Sequence, residues 1–208
     1  MNDRELMDVQ VETLFRRDPD GWLVSANEEH APSAPRFFLG RMRRANVWLS
    51  RHDLPSDIAR ELDRLGRREP VVADFLGVRP VMYDAVRVVL QAHAPIVAEY
   101  FGASYVFPTG MRPAPSVVAV SPMQTSVLRG PLERFAGCLR AGQPCVAIVE
   151  GGVALSVAYT WRWTERAAAV GVYTLEGYRG RGYAAAVAAA WGYKRGAASM
   201  LAMVAARS

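Results

Sequence analysis

The sequence predicts an α+β fold with a mixed, mainly antiparallel sheet flanked by helices. The clearest strand is VALSVAYTWRW, residues 153–163, where large apolar residues alternate with small or polar ones. The clearest helix is LPSDIARELDRLGRREP, residues 54–70, which begins near Pro55 and carries Ile58, Leu62 and Leu65 on one face. A loop rich in glycine and arginine joins a strand to an alanine-rich helix near the end of the chain.

Residues 1–108 are predicted to form a smaller N-terminal α/β region. Its elements are a helix, a strand, a hairpin, two helices and a strand-like stretch, at residues 3–16, 21–28, 36–51, 54–70, 81–95 and 96–108 respectively. The boundary is placed at PTGMRPAPS, residues 108–116, because three prolines and a glycine interrupt regular structure there.

Residues 109–208 are predicted to form the second domain. Its pattern is a strand, one or more helices, three antiparallel strands, the glycine loop and a helix, at residues 117–121, 128–142, 144–150, 153–163, 166–174 and from 183 onwards. Gly151 and Gly152 suit a tight turn between two of these strands. Residues 199–205 either form a short further strand or prolong the helix.

Charge, cysteine content and the length of apolar runs indicate which ligands and which cellular location to expect. The net charge is +5, but the arginines are scattered along the chain, as they are on a solvated surface. Since no nucleic-acid-binding motif accompanies them, no nucleic acid is expected as a natural ligand. Cys138 and Cys145 are expected to be reduced core residues rather than metal ligands. With no signal peptide and no apolar run of membrane-spanning length, we expect a cytoplasmic protein without membrane contact.

The loop has the chemistry of an anion site. The first turn of a helix leaves main-chain N–H groups without partners, and its dipole adds positive charge there. Gly180 and Gly182 let the backbone approach a ligand closely, while Arg179 and Arg181 can pair with phosphate. The alternative is a loop that needs its glycines only to turn, with both arginines in water.

The six residues RGRGYA, 179–184, match the R/Q-x-x-G-x-G/A signature of the GNAT superfamily of acyl-CoA N-acyltransferases. The wider stretch of residues 20–191 also resembles a bacterial branch of that superfamily that carries an extra N-terminal region. The resemblance implies a GNAT-like second half and acetyl-CoA as co-substrate, without a metal. It implies that the diphosphate binds at Arg179, Gly180, Arg181, Gly182, Tyr183 and Ala184, and the pantetheine arm along Val172, Tyr173 and Thr174.

The acceptor implied by the resemblance is a small amine or a protein amine. A carboxylate usually takes the amine's proton in this superfamily, and similar sequences carry an acidic residue where this chain has Tyr173. Glu176 is therefore the candidate catalytic base, with a solvent-exposed surface role as the alternative. Glu150 and Glu165 lie at predicted turns and are expected to be surface charges.

The sequence after Trp191 is short compared with the superfamily pattern, in which a further strand, a helix and another strand follow. We therefore expect a GNAT-like half truncated after its third helix, and a homodimer is one way to cover the exposed sheet edge. A catalytically impaired remnant that binds CoA or a protein partner is the alternative function. Arg41, Arg43 and Arg44 are expected to be solvated, or else to meet the adenosine 3′-phosphate or an acidic partner.

Overall fold

A computed structural model describes residues 2–73, 77–102, 104–107, 114, 116–195 and 201–203. Contacts within the chain divide it into two compact units, residues 1–100 and 101–208. Most of the proline-rich segment at 108–116 lies outside the described residues. The domain ranges 1–108 and 109–208 stay a prediction, while the α+β fold class is confirmed by the helices and antiparallel sheets of both units.

The first unit contains three helices and two antiparallel hairpins. In chain order the elements are α1 Asp3–Leu14, β1 Phe15–Arg17, β2 Leu23–Ala26, β3 Phe37–Arg41, β4 Asn46–Ser50, α2 Ser56–Arg68 and α3 Tyr83–His93. Strand β1 pairs with β2 and β3 pairs with β4. The predicted first helix ends earlier than residue 16 because Phe15 begins β1 and joins the sheet opposite Ala26.

Helix α3 is held against α2 by apolar packing and by one arginine. Val86, Val89 and Leu90 pack on a small core that includes Leu62. Arg36 Nη1 donates to the carbonyl of Leu90 at 2.7 Å and to the carbonyl of Ala94 at 3.0 Å. Because the last carbonyls of a helix lack partners within it, this guanidinium caps the C-terminal end of α3.

Arg41 is not solvated, which corrects the expectation for this residue. Its side chain is 10% exposed and lies 3.7 Å from a Glu69 carboxylate whose side chain is fully buried. The same carboxylate accepts hydrogen bonds from the N–H groups of Val81 and Met82 just before α3. Arg41 also donates to the carbonyl of Val78 at 2.6 Å. The pair therefore fixes the segment that leads into α3.

The second unit is built around a four-stranded sheet. Its elements are β5 Ser104–Val106, β6 Val117–Ala119, 3₁₀ segments Thr125–Val127 and Gly130–Cys138, β7 Cys145–Glu150, β8 Val153–Trp163, β9 Ala168–Thr174, a 3₁₀ turn Glu176–Tyr178, α4 Tyr183–Arg195 and β10 Leu201–Met203. Strands β6, β7, β8 and β9 lie in that order and are all antiparallel, while β10 pairs with β5.

Each face of this sheet is covered by a different element. On one face α4 packs Val187 and Trp191 against strand residues such as Val146 and Val170. On the other face the 3₁₀ segment Gly130–Cys138 packs Leu132 and Phe135 against residues such as Val157. The sheet is therefore buried on both sides, and the residues of one strand alternate between the two covers.

Two predicted elements differ from the structure, and for a third the structure has one of the two predicted alternatives. The helix predicted at 128–142 is a 3₁₀ segment, Gly130–Cys138, that begins at a glycine with φ +58° followed by a proline. Of the strand-like stretch 96–108, only Ser104–Val106 is a strand. Of the two alternatives for residues 199–205, the structure has the strand, β10, and its neighbours in that stretch lie outside the described residues.

Both cysteines are free, as the sequence indicates. Cys145 is buried in the sheet, and this burial raises the pKa of its thiol to about 12 because a thiolate is poorly solvated there. Cys138 is half-buried at the end of the 3₁₀ segment. Cys145 therefore serves as a small core residue.

We expect Arg41→Gln to lower the free energy of unfolding of the first unit by about 2–4 kcal/mol, because it leaves the buried Glu69 carboxylate without its cation. Arg43→Gln removes the same charge from the same hairpin, but Arg43 is exposed. The Arg43 variant should stay within about 0.5 kcal/mol of wild type. Urea denaturation followed by circular dichroism measures both, and equal stability of the two variants would contradict the buried ion pair.

Candidate anion-binding site between β9 and α4

Strand β9 is an edge of the four-stranded sheet. It pairs with β8 on one side, with Tyr173 opposite Val157 and Thr174 opposite Ser156. On its other side, the part of the chain that the structure describes supplies no hydrogen-bonded partner strand. Cα atoms of β10 lie within 8 Å of β9, yet β10 forms its ladder with β5. Strand β9 is thus the last strand of its hydrogen-bonded ladder within the described residues, with β10 close beside it.

The loop after β9 begins as a hydrogen-bonded turn. The N–H of Leu175 donates to the carbonyl of Leu155 at 2.9 Å, which ties the end of β9 to β8. Within the 3₁₀ turn, the N–H groups of Tyr178 and Arg179 donate to the carbonyls of Leu175 and Glu176. The first half of the loop is therefore closed by its own backbone.

The second half of the loop is open. The N–H of Ala186 makes the first bond of α4, to the carbonyl of Gly182 at 3.0 Å. The N–H groups of residues 180–185 donate to no acceptor among the residues that the structure describes. These donors lie at the N-terminus of a 13-residue helix, where its dipole contributes positive charge.

Two glycines give the open segment its shape. Gly180 has φ +76° and Gly182 has φ +78°, both in the left-handed region that residues with a Cβ rarely adopt. A Cβ built at either position meets no atom within 4 Å, so no protein atom lies where a side chain would stand at these two glycines. Free donors on an exposed segment have the chemistry that a diphosphate group requires.

Two arginines frame this segment without being neutralised. Arg179 and Arg181 are both exposed. The Arg181 guanidinium lies 5.1 Å from the centre of the Tyr178 ring and donates to the carbonyl of Gly177 at 3.4 Å. Arg179 Nε lies 3.5 Å from the carbonyl of Thr174. In the described part of the chain neither forms an ion pair, so both charges are available to an anion.

The first turn of α4 is anchored by a contact that the sequence did not indicate. Tyr183 Oη donates to Glu150 Oε1 at 3.0 Å, although Glu150 is the last residue of β7 and lies 33 residues earlier in the chain. Further along α4, buried Trp191 donates from Nε1 to Thr160 Oγ1 at 3.0 Å. These bonds hold the helix in register with the sheet. Ala184 is exposed beside Tyr183.

The side chains of β9 alternate between the two covers of the sheet. Val172 packs on the α4 side, whereas Tyr173 packs on the side of the 3₁₀ segment Gly130–Cys138. The Tyr173 ring lies 5.6 Å from that of Phe135. Thr174 Oγ1 lies 2.8 Å from the hydroxyl of the buried Ser156. The three predicted pantetheine-binding residues therefore follow one another on β9, the last strand of the ladder.

The candidate base, Glu176, lies in the 3₁₀ turn with its side chain exposed. Its carboxylate has no hydrogen bond to any residue that the structure describes. Glu165 is exposed in the turn between β8 and β9, and Glu150 is exposed at the end of β7. Glu176 is therefore the acidic residue that follows β9 most closely in sequence.

A cavity of about 360 Å³ lies against the two 3₁₀ segments that cover the sheet. Its wall is partly charged, and the lining residues are Thr125, Ser126, Leu128, Arg129, Glu133 and Ala136.

Among the described residues no group of three or more His, Cys, Asp or Glu side chains is arranged to hold a metal ion. None of the helices in that part of the chain has the length and apolar character needed to cross a membrane.

The backbone of the loop gives a prediction on stability. We expect Gly182→Ala to lower the free energy of unfolding by roughly 1–2 kcal/mol, because alanine is strained at a φ of +78°. Gly177→Ala is the matched control, since Gly177 does not have a positive φ and a Cβ there also meets no atom within 4 Å. Thermal unfolding of the two variants measures the difference, and equal losses would contradict the described backbone of Gly182.

No family model and no curated protein matches the sequence. Solved structures do match in part. A protein from Novosphingobium aromaticivorans described as an acetyltransferase of the GNAT family shares 19% identity and a TM-score of 0.36, over 50% of each chain. A GCN5-related N-acetyltransferase from Kribbella flavida shares 18% identity and a TM-score of 0.39, over 59% of this chain and 54% of that one.

The chain thus spans about half the length of both solved structures. At these identities the similarity concerns the fold alone.

Proposed function

We propose that this chain is an N-acetyltransferase that transfers an acetyl group from acetyl-CoA to a primary amine. The observation that carries the proposal is the set of main-chain N–H donors at residues 180–185 without an acceptor among the described residues, on an exposed loop that also carries Arg179 and Arg181. A phosphate needs several donors that converge without side chains in the way, and this segment supplies them.

The residues that would hold the co-substrate form a continuous path. The backbone of residues 180–184 would receive the diphosphate, with Arg179 and Arg181 adding charge-assisted bonds. The free edge at Val172, Tyr173 and Thr174 would pair with the amide groups of the pantetheine arm, as a peptide adds to a sheet. The acetyl thioester would then lie beside β9, on the side of the sheet edge that β8 does not occupy.

The bound co-substrate supplies an activated acyl group, so the chain's own residues have to position an amine and remove a proton from it. Glu176 is the proposed base, since its carboxylate is free and lies directly after β9. Main-chain N–H groups along the free edge of β9 would polarise the carbonyl. No metal takes part in this proposal.

A second candidate is a protein that binds CoA or a partner protein without turnover. The observation that favours it is the environment of Glu176, because an exposed carboxylate without a hydrogen-bonded neighbour is poorly oriented for proton transfer. Tyr173 occupies the strand position beside the proposed thioester, and its side chain supplies no carboxylate that could act as the base.

The setting proposed with this function is the cytoplasm, where acetyl-CoA is available, with a small amine or a protein amine as acceptor and neither nucleic acid nor membrane as partner. Strand β6 is the opposite edge of the sheet, and Val118 on it is 44% exposed. Association through such an edge would give a homodimer.

Calorimetric titration with acetyl-CoA and with CoA tests the binding site. We expect Arg179→Gln and Arg181→Gln each to weaken binding about tenfold, the loss of one charge-assisted phosphate contact. Arg166→Gln is the charge-matched control, because Arg166 is exposed in the turn at the opposite end of β9. Absence of binding by wild type would refute the proposed function, and equal effects of all three variants would refute the placement of the diphosphate.

Release of free thiol from acetyl-CoA over a panel of primary amines tests catalysis. We expect Glu176→Gln to lower kcat by about 100-fold or more, as for loss of a general base, with acetyl-CoA affinity unchanged. Glu165→Gln should keep the wild-type rate because Glu165 lies in the β8–β9 turn. A wild-type rate for the Glu176 variant would exclude it as the base, while binding without any thiol release would favour the second candidate.

A further inference from the structure

Arg134 projects from the 3₁₀ segment Gly130–Cys138 towards the end of β9. Its guanidinium carbon lies 4.9 Å from the centre of the Tyr173 ring and 4.8 Å from that of Phe135. The two rings pack on each other at 5.6 Å. A guanidinium that lies against two rings is restricted in orientation, so less entropy is lost when it binds a ligand.

The charge of Arg134 is not neutralised by the described protein. Arg134 is exposed, and in the ranges that the structure describes no carboxylate lies within ion-pairing distance of it. Other arginines of the 3₁₀ region are engaged by main-chain carbonyls, as Arg129 is by Ser126 and Arg140 by Gly137. Arg134 differs from both because its contacts leave all of its N–H donors available for a ligand.

The position of Arg134 relates it to the acceptor rather than to the co-substrate. Tyr173 belongs to the strand edge proposed to hold the pantetheine arm, and its side chain lies on the sheet face covered by the 3₁₀ segment. The diphosphate donors are on the loop that enters α4, which covers the opposite face. An amine that approaches the thioester from the Tyr173 side therefore passes within reach of Arg134.

We propose that Arg134 determines acceptor specificity by binding an acidic group on the amine, so that the preferred acceptors are primary amines that also carry a carboxylate. The inference rests on the proposed acetyltransferase function and names the substrate class of that site. Planar guanidinium and carboxylate groups match in a two-bond geometry, which gives both affinity and a fixed distance between acid and amine. The stacked rings fix that distance by holding the guanidinium in place.

The test compares amines that differ only in charge. The probes are 4-aminobutanoate and its neutral amide 4-aminobutanamide, with 5-aminopentanoate and 5-aminopentanamide as the pair one methylene longer. We measure binding of each probe to the CoA-loaded protein by calorimetry, and kcat/KM by thiol release. Wild type should prefer the acid of at least one pair over its amide by about tenfold to a hundredfold.

Three variants assign this preference to Arg134. Arg134→Gln should abolish the preference for the acid without changing acetyl-CoA affinity, and Arg134→Lys should retain part of it because the charge remains. Arg166→Gln removes the same charge at the far end of β9 and should keep the full preference. Circular dichroism melts confirm that each variant is folded.

The outcomes separate this inference from the proposed function. A wild-type protein that binds acetyl-CoA but shows no preference for acid over amide in either pair overturns the role of Arg134 alone. A preference that persists in Arg134→Gln, or is lost equally in Arg166→Gln, overturns it as well. Failure to bind acetyl-CoA at all overturns the proposed function and this inference with it.

Discussion

The N–H groups at the start of α4 have no acceptor among the described residues, and the packing of the helix on the sheet holds them at the surface of the second unit. Free donors are tolerated at residues 180–185 because they face solvent rather than the core. The helix itself is fixed by buried Trp191, which packs on the sheet and donates to Thr160. A rigid helix and two left-handed glycines therefore present the donors in one fixed direction.

A sheet covered on both faces leaves only its edges for a long ligand. On β9, Val172 packs on the α4 side and Tyr173 on the 3₁₀ side, so each face of the strand is partly covered. Its backbone edge is the remaining surface, because β10 pairs with β5 instead. In the proposed route of the co-substrate, the strand edge and the loop donors are joined by the short 3₁₀ turn Glu176–Tyr178.

Local sequence patterns were sufficient to predict the four-stranded sheet and the loop. Period-two alternation in residues 153–163 and the Gly151–Gly152 turn define antiparallel strands, and the glycine pattern at 180 and 182 requires left-handed backbone. Local sequence patterns did not predict the long-range contacts. The burial of Arg41 depends on Glu69, and the bond from Tyr183 depends on Glu150, partners that no local pattern brings together. The 3₁₀ geometry of Gly130–Cys138 similarly reflects packing on the sheet rather than periodicity.

In the proposed site, the residue at position 173 would link catalysis to specificity. An acidic side chain there would lie next to the Arg134 guanidinium and form an ion pair, which would neutralise the arginine and hold the carboxylate in its charged form. Tyrosine instead offers a ring face, against which the guanidinium lies at 4.9 Å while keeping its charge. Tyrosine at this position therefore supplies no carboxylate on the strand and leaves a cation beside the proposed acceptor path. In the proposed function, Glu176, outside the strand, would remove the proton, and Arg134 would attract the acceptor through its acid rather than through its amine.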